Sequence, residues 1–417
     1  MNGPSFFLSK LFPVFILVVL LTRVTPGWGQ EDIDSLFESP EAGTVEATEE
    51  GSQALPPSST PEEPEEQPEA SPAPVDHLSA FTREALTIYG SLYAAAGGLG
   101  GYTELPPFNE PARMVDDIDF SGYAEFSNTL SFRARMDRYT SVQGSFLVEY
   151  PGFAFTVDEL FLTYVLKELF FFRIGKQIIT WGNGRIYDDT NLTLDAEDGY
   201  SFKLTVPVST ATLTAVVMDQ PAWRYTENPG AEDLNYAGQL TVPVAGIEFL
   251  FSGLYASKRR RDSGFTHRGI VGLKTTLFTV DLFHESLLDT EKQYTALSGF
   301  FKEWSNPRIQ LYGEHRYITG PDLPNDHQTS LNFLWRGFPH SKLDLGFRWN
   351  HAWRDNSGYV VPGLKWNNPA PNLTLAFAMP IYYGEPDSVI APEFSDDVDS
   401  QFRKLSFGAQ ASLSVRY

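Results

Sequence analysis

"KLSFGAQASLSVRY", Lys404 to Tyr417, ends this 417-residue chain, and it alternates without a break. Leu405, Phe407, Ala409, Ala411, Leu413, Val415 and Tyr417 share one parity. Lys404, Ser406, Gly408, Gln410, Ser412, Ser414 and Arg416 share the other. Successive side chains of a strand point to opposite faces, so period two predicts a strand with one apolar face. Terminal residues ordinarily fray, yet here the apolar face runs through the last residue. Something apolar has to cover it.

The same texture fills the chain from residue 85 onward. "FSNTLSFRARM" sets Phe126, Leu130, Phe132, Ala134 and Met136 against Ser127, Thr129, Ser131, Arg133 and Arg135. "GYSFKLTVPV", "PRIQLYGEHRY" and "KLDLGFRWN" alternate likewise, with Glu314, Arg316, Asp344 and Arg348 on the polar parity. "DELFLTYVLKELFFFRI", Asp158 to Ile174, can be written as an amphipathic helix, but its Phe, Tyr and Val content favours two strands broken at Lys167–Glu168. The links alternate in length. Long polar connections are expected at 97–118, 181–198, 219–234, 258–266, 319–327 and 383–400, with short exceptions at Pro151–Gly152 and near Asp289. Tight turns are expected at Asp137–Tyr139, Lys167–Glu168, Val208–Thr210, Ala245–Gly246 and Trp304–Pro307.

Long links on one rim, short links on the other and an even strand count predict an all-β chain. The expected fold is a transmembrane, antiparallel, up-and-down β-barrel of about 18 strands, within a range of roughly 14–18. In hydrocarbon every backbone N–H and C=O must be paired, so a spanning sheet has to close on itself. One face then meets lipid and the other lines a polar lumen. A secreted sandwich or propeller would give no reason for Arg and Glu at mid-strand. Trp181, Trp223, Trp304, Trp353 and Trp366 fall at strand ends, where interfacial girdles belong.

The barrel is assigned residues 78–417, behind two other segments. Residues 1–29, with Lys10 before "LFPVFILVVLL", read as a secretory signal. Residues 30–77 carry fourteen acids, eight prolines and no Lys or Arg. They are expected to be a disordered, acidic, Pro/Glu-rich linker in the periplasm, not a folded plug. They account for −14 of the net charge of −22, and a barrel left at −10 gives no reason to expect nucleic-acid binding. With no cysteine, disulfides and thiolate metal sites are excluded.

The final strand resembles that of bacterial outer-membrane proteins, which end in an aromatic preceded by alternating apolar residues, here Leu413, Val415 and Tyr417. Most members end in Phe, so Tyr417 departs mildly. The resemblance implies outer-membrane lipids as surroundings and the barrel-assembly machinery as the reader of these residues. "RIGKQIITWGNGRIYDDTNL", Arg173 to Leu192, resembles the R-x-G-K-Q-x-x-x-W-G element of porin-like barrels through Arg173, Gly175, Lys176, Gln177, Trp181 and Gly182. In general porins the third long loop folds inward and narrows the pore. The resemblance therefore implies a constriction here, with Arg185, Asp188 and Asp189 on the loop facing Arg133, Arg135 and Arg173 of lumen parity. The alternatives are a structural strand-to-loop corner and a loop that projects into solvent, where salt screens its charges. Asp195, Glu197 and Asp198 add to the loop's acidity.

No nucleophile motif is present, and His267, His284, His315, His327, His340 and His351 lack metal-ligand spacing, so neither an enzyme, a metal nor a cofactor is expected. Lys258, Arg259, Arg260 and Arg261 form a basic loop, read as a solvated hairpin or a polyanion site. The functional expectation is an outer-membrane channel for passive diffusion of small hydrophilic solutes. The alternative is an adhesin or structural barrel that binds ligands through its outer loops. Homo-oligomerisation is left open.

Overall fold

Alternation from Leu86 onward produces one continuous antiparallel sheet. The computed structural model describes residues 36–37, 86–102, 119–150, 152–192, 200–219, 231, 234–257, 267–321, 323–384, 388, 390 and 405–417. The signal, most of the acidic segment, Trp223, the basic loop 258–261 and Asp195, Glu197 and Asp198 lie outside these residues.

The sheet opens with β1 (Leu86–Tyr102), β2 (Asp119–Arg135), β3 (Thr140–Tyr150), β4 (Ala154–Leu166), β5 (Phe170–Lys176) and β6 (Tyr200–Val208). It continues through β7 (Ala211–Met218), β8 (Asn235–Val244), β9 (Ile247–Tyr255), β10 (Arg268–Leu277), β11 (Val280–Asp289), β12 (Tyr294–Ser305) and β13 (Arg308–Gly320). It ends with β14 (Leu323–Arg336), β15 (Leu343–Ala352), β16 (Ser357–Asn367), β17 (Leu373–Ala378), β18 (Ile381–Tyr383) and β19 (Leu405–Arg416). β17 and β18 both lie between β16 and β19. They are two halves of one stave interrupted at Met379–Pro380, where proline has no N–H to give the ladder. The barrel therefore has 18 staves.

Closure is made by the two ends of the barrel sequence. β19 pairs with β1 from Ser91↔Arg416 to Tyr102↔Leu405. Beyond that register, Gly90 N donates to Tyr417 O at 2.9 Å and Tyr417 N donates to Gly90 O at 3.0 Å. The Tyr417 hydroxyl donates to Asn128 Oδ1 of β2 at 2.8 Å. Each stave thus has a partner on both sides, and no edge is left unpaired. The apolar parity of the final strand points outward, as Phe407 and Tyr417 are exposed, while Gly408, Gln410 and Ser412 are buried on the lumen side.

The outward face elsewhere carries Ile174, Phe202, Leu240, Phe251, Val271, Phe347 and Leu364, all exposed. That band is what a hydrocarbon shell requires, at about 25 cal/mol per Å2 of apolar area removed from water. Trp304, Trp353 and Trp366 also point outward. At Lys167–Glu168 the chain turns with φ of 55° and 57°, the two positive values that a two-residue hairpin turn needs. The helical reading of 158–174 is thereby excluded.

Two expected connections change. The one at 97–118 begins only after Tyr102, where β1 ends. The connection at 319–327 is not a long loop, because β13 runs to Gly320 and β14 starts at Leu323. Its polar residues pair across the hairpin instead, with Thr319 Oγ1 donating to Asn325 Oδ1 at 2.6 Å past a register shift at Ile318/Gly320. Leu36 and Phe37, the two residues of the acidic segment that the structure describes, have helical backbone and are buried against Leu334, Tyr359, Val361, Ala376 and Ala378 on the inside of the wall.

Candidate functional site

The site begins where β5 runs out. Gln177, next after Lys176, is fully buried and donates from Nε2 to the carbonyl of Ser201 at 3.4 Å. From there the chain turns inward rather than out over the rim. Ile179, Trp181 and Leu192 pack on Val216, Met218, Ala237, Leu250, Leu254, Ile270 and Leu287, the lumen-parity residues of β7 to β11. Fully burying an aliphatic side chain of this size contributes about 1.5–3 kcal/mol, so this underside is enough to hold the loop down. Trp181 is accordingly not a girdle residue. It is 5% exposed inside the barrel. The Trp181 N–H donates to Asn191 Oδ1 at 3.0 Å and the Asn191 N–H to Asp188 O at 2.7 Å, which ties the two limbs of the loop together.

Two buried carboxylates on the wall catch the loop's tip. Asn183 donates its backbone N–H and its Nδ2 to Glu285 Oε1 of β11, both at 2.8 Å. Glu314 of β13 accepts three successive backbone N–H groups, from Arg185 at 2.5 Å, Ile186 at 3.1 Å and Tyr187 at 2.9 Å, together with the Tyr312 hydroxyl. Successive N–H groups converging on one anion form a nest, and such charge-assisted bonds offset the cost of burying a carboxylate. Glu285 is 0% and Glu314 2% exposed. Glycine is required at two points. Gly182 has φ of 106°, and a Cβ on Gly184 would stand 2.2 Å from Tyr187 O and 2.5 Å from Leu297 Cδ2.

From Glu314 the loop continues two staves along the same wall, to β15. The Tyr187 hydroxyl donates to Asn350 Oδ1 of β15 at 3.0 Å, and the Arg316 guanidinium lies 5.0 Å from the Tyr187 ring centroid. Burial pushes the Tyr187 phenol well above its ordinary pKa, outweighing the opposite pull of Arg316, so it stays a neutral donor. Arg316 Nη1 donates to both carboxylate oxygens of Asp189, at 3.0 and 2.9 Å, and its Nη2 lies 3.5 Å from Asp326 Oδ2.

The expected charged residues divide into two groups. Arg185, Asp188 and Asp189 are on the inward loop, Arg185 and Asp188 being exposed. Arg173 is at lumen parity on β5, with its guanidinium carbon 4.5 Å from the Phe161 ring centroid. Arg133 and Arg135 sit at the end of β2, beside the tight turn 136–139, so the register keeps them at the far end of the barrel from the loop. The cation that meets the loop's acid is Arg316. Glu285, Glu314 and Arg316 are the residues that sequence reasoning did not single out, although Glu314 and Arg316 had been given lumen parity. Among the described residues no group of three or more His, Cys, Asp or Glu is placed to hold a metal ion.

A closed barrel with a loop across its lumen can be set beside solved structures. The chain shares its fold with Pseudomonas aeruginosa OccK3 (OpdO) and OpdQ. For OccK3 the TM-score is 0.51 at 10% identity, covering 79% of this chain and 95% of that one. For OpdQ it is 0.51 at 9% identity, covering 80% and 97%. In sequence, no family profile and no curated protein matches the chain. The likeness is one of architecture, so any functional reading has to come from the residues in the lumen.

Proposed function

We propose that this protein is an outer-membrane, porin-like channel through which small hydrophilic solutes diffuse, with loop residues 177–192 as its constriction. One observation carries the reading. The loop is anchored at mid-lumen by backbone bonds to Glu285 and Glu314, and it keeps the charged ends of Arg185 and Asp188 exposed. A loop used only to bind partners outside the cell has no need of buried carboxylates to hold it inside. With about 18 staves the lumen is wide enough for an aqueous path, so a device that narrows it has a purpose. Asp188, Asp189, Arg185, Arg173 and Arg316 then set the field that solutes cross, in a space where charges are screened less than in bulk water.

In this reading both barrel termini lie at the short-turn rim, which faces the periplasm, and Leu413, Val415 and Tyr417 are what the assembly machinery reads. The apolar outer band supports residence among outer-membrane lipids. Reconstitution into planar bilayers is the test. Steady openings that widen when loop 181–198 is shortened support a constricted channel. A barrel that stays sealed in both forms favours the adhesin reading.

A further inference from the structure

Leu36 and Phe37 occupy a seat that the barrel wall has been shaped to leave. Gly346 of β15 and Gly363 of β16 are register partners on the lumen face. A Cβ on Gly363 would lie 2.5 Å from Leu36 Cδ2 and 3.1 Å from Phe37 Cζ. One on Gly346 would lie 3.0 Å from both Leu36 Cγ and Phe37 Cε1. Leu334, Val361, Ala376 and Ala378 complete an apolar patch on the lumen face, and Leu36 and Phe37 are 2% and 5% exposed there. Lys365 holds its Nζ 5.5 Å from the Phe37 ring centroid, a cation–π contact.

Position and charge agree with this occupant. The seat lies near the tight connections 337–342 and 368–372, the rim from which β1 also starts. The chain between Phe37 and Leu86 spans 48 residues, at most about 160 Å when fully extended, enough to bring the pair to the seat. In sequence Leu36 and Phe37 are flanked by Glu31, Asp32, Asp34 and Glu38. The lumen parity around the seat carries Arg336, Arg348 and Lys365 against one acid, Asp344. Being part of the same chain raises the pair's effective concentration at the seat, so a modest apolar seat is enough to fill the site much of the time.

We propose that the lumen face of β14 to β17 is a binding site for the Leu36–Phe37 pair of the chain's own acidic segment, which thereby acts as a tethered plug. The plug enters from the short-turn mouth, on the wall that the constriction loop also touches. Gly346 is four residues, about 13 Å of strand, from the Asn350 that holds Tyr187. That the plug reduces conduction rests on the channel reading above; that the seat binds the pair does not.

The chain has no cysteine, so Leu36→Cys with Gly363→Cys gives one defined pair, and Leu36→Cys with Ser252→Cys, on the lumen face of β9, is its control. In the full-length protein in membranes, the first pair should form a disulfide under mild oxidation at least tenfold faster than the second. Equal rates would overturn the binding site. In bilayers, the double substitution Leu36→Ala and Phe37→Ala, which leaves every barrel strand intact, should raise open time or conductance. Gly363→Val should do the same by filling the seat, and combining all three should add nothing further. Crosslinking that leaves the conductance equal before and after reduction would overturn the plug. A protein that never conducts, yet crosslinks selectively, would count against the channel reading and for the seat.

Discussion

The backbone N–H of Tyr187 and the carboxylate of Glu314 meet at 2.9 Å, joining a loop that leaves β5 to the wall at β13. Two further N–H groups converge on the same carboxylate. The loop's position in the lumen therefore depends on one buried acid more than on its own charges. Removing that acid strands those three N–H groups and the Tyr312 hydroxyl at once.

Glu314→Ala should release the tip of the loop. Each buried donor left without a partner costs about 1–3 kcal/mol, so the docked state should lose most of its advantage. Noisier and larger openings are expected in single-channel records, with barrel yield unchanged. Openings identical to those of the unsubstituted protein would show that Glu314 does not hold the loop.

Gly184→Val tests the same docking by crowding, since its side chain would run into Tyr187 O and Leu297. Overpacking of this kind costs about 1–3 kcal/mol. Trypsin added outside intact cells should then cut after Arg185 several times faster than in the unsubstituted protein. Unchanged protection would mean that the loop tolerates the bulk and is not packed as described.

Asp188→Asn with Asp189→Asn should lower cation preference, read as a shift of reversal potential in a salt gradient. The two sites should differ. Asp189 binds Arg316 through both oxygens, so Asp189→Asn leaves that guanidinium only Asp326, at 3.5 Å, whereas Asp188→Asn removes an exposed acid. Arg133→Gln and Arg135→Gln, at the other end of β2, should shift the potential less than Arg316→Gln. A larger effect at β2 would place the constriction elsewhere.

Tyr417→Asp should impair assembly more than it affects any finished channel. The substitution puts charge on the outward face and removes the bond to Asn128, while Gly90 and the backbone of residue 417 can still pair. Membrane levels of the heat-modifiable barrel should fall several-fold. Normal levels would contradict a role for this residue in closing or recognising the barrel.

Much of the fold could be read from the chain because lipid and lumen impose opposite demands on neighbouring residues. Leu405 to Tyr417 showed which face is outward and why β19 must close on β1, and Lys167–Glu168 showed where β4 ends. Resemblance alone suggested the inward path of the third long loop, and projection into solvent was the other reading. Its anchors were not legible, because Glu285 and Glu314 are single acids at lumen parity, and nothing local distinguishes an acid that binds backbone from one that faces water. Trp181 misled for a related reason. A tryptophan at the end of a strand suits a girdle and a loop core equally well, and only the loop's direction decides. The short connection between β13 and β14 was hidden because Asn325 and Thr319 satisfy each other across strands that composition alone reads as loop. Leu36 and Phe37 are a lone apolar pair in an acidic, Pro-rich segment, and their partners lie about three hundred residues away. Composition can say that such a segment will not fold alone. It cannot say what two of its residues will rest on.

The central claim is that a water-filled barrel is narrowed by residues 177–192, and single-channel conductance in planar bilayers tests it most directly. The unsubstituted protein should show discrete, steady openings, and a form with loop residues 181–198 replaced by a short Gly-Ser link should show openings of clearly higher conductance with weaker ion preference. Silence from both proteins, or equal conductance and reversal potential in the two, would contradict it.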